Sequence, residues 1–178
     1  MERAEFLALT NLTPKAFETL SHKKFLPFTP NRPTPTGWAK YSLWQALLME
    51  LMLRHMDEGL EREAACALLR SLSEELAEAL AGSAAALEDI FAGYVPIRSS
   101  GAPDEPSATL RHPVVGSLSQ LTGSMDDLRS RVRGTIDGLF VINVTSAIEI
   151  IRVRARERLT DVDLSTEFAQ LWSPANGE

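Results

Sequence analysis

Between Thr13 and Tyr41 the chain collects side chains suited to one chemistry, the recognition of a polyanion. Lys15, Glu18, Thr19 and His22 recur at i, i+3, i+4 and i+7, which places four hydrogen-bonding groups on one face of a helix. Laid in a DNA major groove, such a face meets base edges, and Glu18 can accept from a cytosine amino group. Lys23 and Lys24 follow in the last turn, with Arg32 and Lys40 further along, as candidates for phosphate or minor-groove contacts. Thr13 and Tyr41, at the two ends of the stretch, complete the candidate contact set. Each lysine also suits an ordinary solvated surface, so its place in the fold must decide.

Other chemistries find less to work with. The sequence has no phosphate-binding glycine loop, no Cys/His ligand spacing and no nucleophile elbow. His22, His55 and His112 are scattered, and none neighbours Cys66. That cysteine lies in Ala64-Ala65-Cys66-Ala67, where a small buried side chain is the expected role. The adjacent carboxylates Asp126 and Asp127 read as first-turn residues of a helix opening at Ser124. No enzyme, cofactor or metal centre is expected.

The elements that would position the contact set can be read in order. Residues 5–10 give a short helix with Phe6, Leu7 and Leu9 apolar, and Asn11 and Leu12 make the turn. Thr13 is the N-cap of a second helix with Pro14 at its first position, where a missing N–H costs nothing. That helix runs to about Lys23 with Phe17 and Leu20 inward. Residues 25–28 are expected to form the first strand of a two-stranded wing, 29–37 its proline-rich tip, and 38–41 its return strand. Ser42 caps a longer helix with two apolar stripes. Trp44, Leu47, Leu48, Leu51 and Met52 form one, and Leu43, Met49, Leu53 and Met56 the other.

Composition places this module in a soluble, cytoplasmic setting. Of 178 residues, 44% are apolar and 24% charged, no apolar run reaches membrane-spanning length, and Glu2, Arg3 and Glu5 stand where a signal peptide would be apolar. Charge is unevenly spread. Residues 1–45 hold six Lys/Arg against three Asp/Glu, net +3, and the remainder 12 against 21, net −9. One face suited to phosphates on an acidic body fits a nucleic-acid binder.

From Leu9 to Leu69 the chain resembles the DNA-binding domain of MerR-type winged helix-turn-helix regulators and the related excisionase and phage small-terminase modules. The resemblance rests on Leu9-Thr10-Asn11-Leu12-Thr13-Pro14-Lys15, the Phe25-Leu26-Pro27 exit, Gly37-Trp38-Ala39-Lys40-Tyr41-Ser42, and the Glu58-Gly59-Leu60 break. It covers about a third of the chain and implies double-stranded DNA as partner. Where such regulators carry an arginine and two tyrosines on the recognition helix, this chain has Glu18, Thr19 and Leu20; where the wing carries an arginine, it has Ala39. Phosphate contacts are fewer for it, at about 0.9 log unit of salt slope each, so affinity is expected to rest on a homodimer or a partner.

The rest of the chain is less specific. Breaks are expected at Ser71/Ser73 and Gly82/Ser83, with a short helix bearing Leu87, Ile90 and Phe91. These breaks argue against the long dimer helix that the resemblance implies. Residues 96–113 read as a linker, 139–144 as a buried strand, and 147–158 as a helix, although Ile151 to Arg158 also alternates like a strand. Arg152, Arg154, Arg156 and Arg158 form an arginine comb, read as a solvated face, with binding of an acidic partner or nucleic acid as the alternative. A last helix is expected from about Asp163 to Trp172.

The expected fold is mainly α with a small β component: a winged helix-turn-helix with its following helices (1–72), connecting helices (73–95), the linker, and a small α+β region (114–178) that dimerises, senses an effector or binds a partner. The expected function is a homodimeric, nucleoid-associated transcription regulator. The alternatives are an architectural DNA protein that recruits a partner, and a winged helix used for protein interaction.

Overall fold

A computed structural model describes residues 1–31, 39–86, 88–99, 109–132, 134–159 and 164–171. The fold is mainly α with one small antiparallel sheet. Its helices are α1 (Arg3–Thr10), α2 (Pro14–His22), α3 (Leu43–Asp57), α4 (Arg62–Ala86), α5 (Leu118–Arg131), α6 (Val144–Arg158) and α7 (Ser165–Gln170). Its strands are β1 (Phe91–Ser99), β2 (Thr109–Gly116), β3 (Gly134–Ile136) and β4 (Phe140–Asn143).

Local signals set most helix ends. Glu2 and Glu5 close a capping box on α1, and Asn11 ends it in the left-handed region at φ 54°. Ser42 and Gln45 close a second box on α3, and Gly59, at φ +92°, turns the chain from α3 into α4. α3 is buried almost all round, so both of its apolar stripes find partners within the chain: α1 and α4, and also α6 and β4.

Three expectations give way here. α4 is one 25-residue helix, with no break at Ser71/Ser73 or Gly82/Ser83. Ser71 donates its hydroxyl to the Leu68 carbonyl and Ser83 to that of Leu80, bonds that let serine ride inside a helix. The buried row Leu69, Leu72, Leu76 and Leu80 then overrides the weak breakers. Ile90 and Phe91 are not helical; Phe91 opens β1, and Leu87 lies outside the described residues.

The expected linker is largely a hairpin. β1 and β2 pair antiparallel from Phe91↔Gly116 to Arg98↔Thr109, with 100–108 outside the described residues. Pro96 and Pro113 sit within strands, and Pro113 falls on β2, whose other side has no neighbouring strand among the described residues. β3 and β4 share the opposite side of β1, β4 against residues 91–94 and β3 against 97–99. At Gly93 a Cβ would fall 1.9 Å from the Phe140 carbonyl oxygen, so only glycine admits β4 there.

The main core runs from Phe6 to Leu171 and takes in Ile148, Ile151 and Ala155 of α6 with Phe168 of α7. The C-terminal helices are thus packed into the N-terminal module's own core. A second cluster, Val95, Ile97, Val114 and Leu121, lies between the sheet and α5. α5 begins at Leu118, earlier than Ser124, and β4 is only half-buried, with Phe140 49% exposed. α6 is the expected helix, capped by Asn143 on the Ser146 amide. α7 is shorter than expected, and Trp172 lies outside the described residues. Among the described residues no helix is long and apolar enough to cross a membrane.

Candidate nucleic-acid interface

α2 is built to show one face. Thr13 accepts from the Ala16 amide at 3.2 Å and Pro14 fills the first position, so the N-terminus forms as the sequence implies. Phe17 and Leu20 are each 4% exposed and turn inward. Lys15, Glu18, Thr19, His22, Lys23 and Lys24 are all exposed. Lys15 to His22 spans about 10 Å along the axis, near the major-groove width of about 12 Å.

The exit from α2 carries strain. The Phe25 amide donates to Leu20 and the Lys24 amide to Ser21, a Schellman ending with Lys24 in the left-handed position at φ 58°. Glycine is the usual occupant; a lysine there costs roughly 1 kcal/mol. Arg70 of α4 fixes this exit, donating to the Lys24 carbonyl at 2.9 Å and to that of Leu26 at 2.7 and 3.1 Å. Beneath it, Cys66 directs its thiol at the Leu26 carbonyl, and burial pushes the thiol pKa up.

The wing is thinner than expected. Residues 25–28 are not a strand, and the pairing among the described residues is one bridge, Asn31 to Lys40, with the Lys40 amide donating at 2.8 Å. Arg32 and Trp38 lie outside the described residues. Gln45 anchors the first leg by donating to the Thr29 carbonyl at 3.0 Å. Lys40 is exposed, with Glu2 at 3.7 Å.

Tyr41 is a correction. It is 7% exposed and packs on Phe6, Phe17 and Phe28 with centroids at 4.6, 5.8 and 6.4 Å. Neighbours in extended chain point to opposite sides, so an outward Lys40 sends Tyr41 into the core. Its ring is part of the core behind α2 and is not presented on the exposed face.

Electrostatics on this face are mixed. Arg3 donates to Glu18 at 2.8 Å and lies over the Phe17 ring, which offsets the one acid of the recognition face. Thr19 spends its hydroxyl proton on the Lys15 carbonyl. Lys15, Lys23 and Lys24 make no ion pair among the described residues, so their charge is available to a ligand.

The sequence reading missed what holds the helix-turn-helix in place. Arg154 donates to the Leu9 carbonyl at 2.9 Å and Arg158 to that of Ala8 at 3.0 Å, satisfying open carbonyls at the end of α1. Arg158 also reaches the Asn11 side chain at 3.0 Å. Arg154 and Arg54 both pair with Glu50, a carboxylate with 7% of its side chain exposed. Half the arginine comb is therefore an internal brace. In a helix this spacing splits the comb, leaving Arg154 and Arg158 one turn apart on the face toward α1, and no local pattern named α1 as their partner.

No family model matches the chain, and no curated protein matches it significantly.

Proposed function

We propose that this protein is a sequence-specific DNA-binding transcription regulator of winged helix-turn-helix type, acting as a homodimer. The observation that carries the reading is the exposed face of α2, with Lys15, Thr19, His22, Lys23 and Lys24 free toward solvent and Lys40 exposed at the base of the wing. That is the arrangement a helix needs to enter a major groove with lysines over the flanking phosphates. A few phosphate contacts per protomer give modest affinity, which two-fold pairing multiplies. The dimer does not use the apolar row of α4, since Leu69, Leu72, Leu76 and Leu80 are at 0% exposure within one chain. The free side of β2, where Thr109 to His112 are exposed and Leu110 is 65% exposed, offers a second copy both edge hydrogen bonds and apolar area.

A second reading, a winged helix used for protein interaction, is favoured by the ion pairs that damp the basic face, Arg3 with Glu18 and Lys40 with Glu2. Selection of bound sequences followed by footprinting separates the readings. A discrete palindromic site supports the regulator, and clustered direct repeats with bending support the architectural protein. No binding at low salt removes both DNA readings and leaves the protein-interaction module.

A further inference from the structure

Away from α2, a pocket of about 260 Å³ opens where the C-terminal end of α3 meets β1 and β4. His55 and Glu58 line it from α3, Tyr94 from β1, and Phe140 and Ile142 from β4. His55 is 2% exposed and uses one ring nitrogen on the Ala92 carbonyl. Its Nε2 is buried and has no partner, so Nδ1 is the donor and Nε2 is left as a lone-pair acceptor. Burial holds the imidazole pKa down to about 4, so the ring is neutral at physiological pH.

The lining is selective in sign. Tyr94 and Phe140 stack at 5.3 Å and 10°, a flat aromatic wall with Phe140 still 49% exposed. Arg111 lies 5.9 Å over the Tyr94 ring, so one cation already sits on this stack. At the end of α3 the acceptor within reach of a ligand is the exposed Glu58 carboxylate, while the His55 lone pair is sealed from solvent. His55 lies in the last turn of α3 and Glu58 is its C-cap, where the dipole is negative. Among the described residues no cationic side chain lines the pocket, and Arg111 is engaged on the Tyr94 ring. A carboxylate, the negative end of a helix and an aromatic wall together suit a donor-bearing cation and disfavour an anion.

We propose that this pocket binds a compact organic cation with a flat apolar body and N–H donors, of the aromatic amine or amidinium class. Its flat face stacks on Phe140, and its N–H groups donate to the Glu58 carboxylate, while the neutral His55 ring forms part of the wall and adds no opposing charge. The test is a calorimetric titration of the full chain at neutral pH with benzamidine, phenol and benzoate, one ring carrying positive, neutral and negative heads. Benzamidine is expected to bind tightest and benzoate weakest. Glu58→Gln and Phe140→Ala, both at exposed positions the core does not need, are each expected to weaken benzamidine about tenfold. Glu58→Gln is expected to leave phenol unchanged. Absence of benzamidine binding at millimolar concentration, benzoate binding as tightly, or variants that bind benzamidine like the parent chain would each overturn the proposal. These titrations contain no DNA, so their outcome is independent of the DNA-binding reading.

Discussion

Lys24 is the residue where local chemistry and function part company. A lysine in the left-handed position that ends α2 is strained, and glycine would remove the strain. Lys24→Gly is expected to raise stability by about 1 kcal/mol, roughly 2–4 °C in melting temperature for a chain of this size. It is also expected to weaken DNA binding and reduce the salt slope by about one phosphate. A variant that is more stable and binds DNA unchanged would show Lys24 to be mere surface. His55 gives a residue-scale prediction in pH. Its pKa is near 4 in the fold against 6.5 when exposed, so the unfolded chain takes up a proton first as pH falls. Stability from this residue is intact above about pH 6.5 and declines toward pH 4, by on the order of 3 kcal/mol. Other groups titrate there too, so the measurement is the difference in denaturation free energy between the parent chain and His55→Gln across pH 7 to 4. Curves that run parallel would contradict the buried neutral imidazole.

Among elements, the helices of the N-terminal module were legible because each carries its own stop and start. Thr13-Pro14, the Ser42/Gln45 box and Gly59 act within a few residues, and apolar spacing named Phe17, Leu20 and Leu47 as core. What failed depended on distant partners. Nothing local says that α4 runs straight through three serines and Gly82, because its continuity comes from Leu72, Leu76 and Leu80 packing on the rest of the chain. Pro96 and Pro113 read as linker residues, yet paired backbone across the hairpin carries them as strand. On the candidate site, spacing chose the exposed face of α2 correctly and misplaced Tyr41, whose aromatic partners Phe6 and Phe28 come from other segments. The Glu50 triad is the element-scale test, since one carboxylate joins α3 to α6 through Arg154. Glu50→Gln leaves two guanidinium groups without their shared counter-charge. It is expected to cost about 3 kcal/mol in chemical denaturation; a loss under about 0.5 kcal/mol would remove the triad from the fold's support.

Across the whole molecule, the two regions that the sequence separates are mechanically joined. β4 lines the pocket and runs directly into α6, and α6 ends with Arg154 and Arg158 on the carbonyls of α1, beside the helix-turn-helix turn. Arg158→Ala touches no expected DNA contact, yet it is expected to lower DNA affinity several-fold by releasing that turn, measured by fluorescence anisotropy on the selected site. Equal affinity would show α6 to be a passenger. The central claim is that α2 and the wing base dock on DNA, and the Lys15→Ala/Lys40→Ala double variant tests it most directly. Both side chains are exposed and neither supports the core, so fold and oligomeric state are expected to stay as they are. Anisotropy at low salt on the selected site is expected to show binding by the parent chain and none by the double variant. Unchanged affinity in a correctly folded double variant would contradict the docking face.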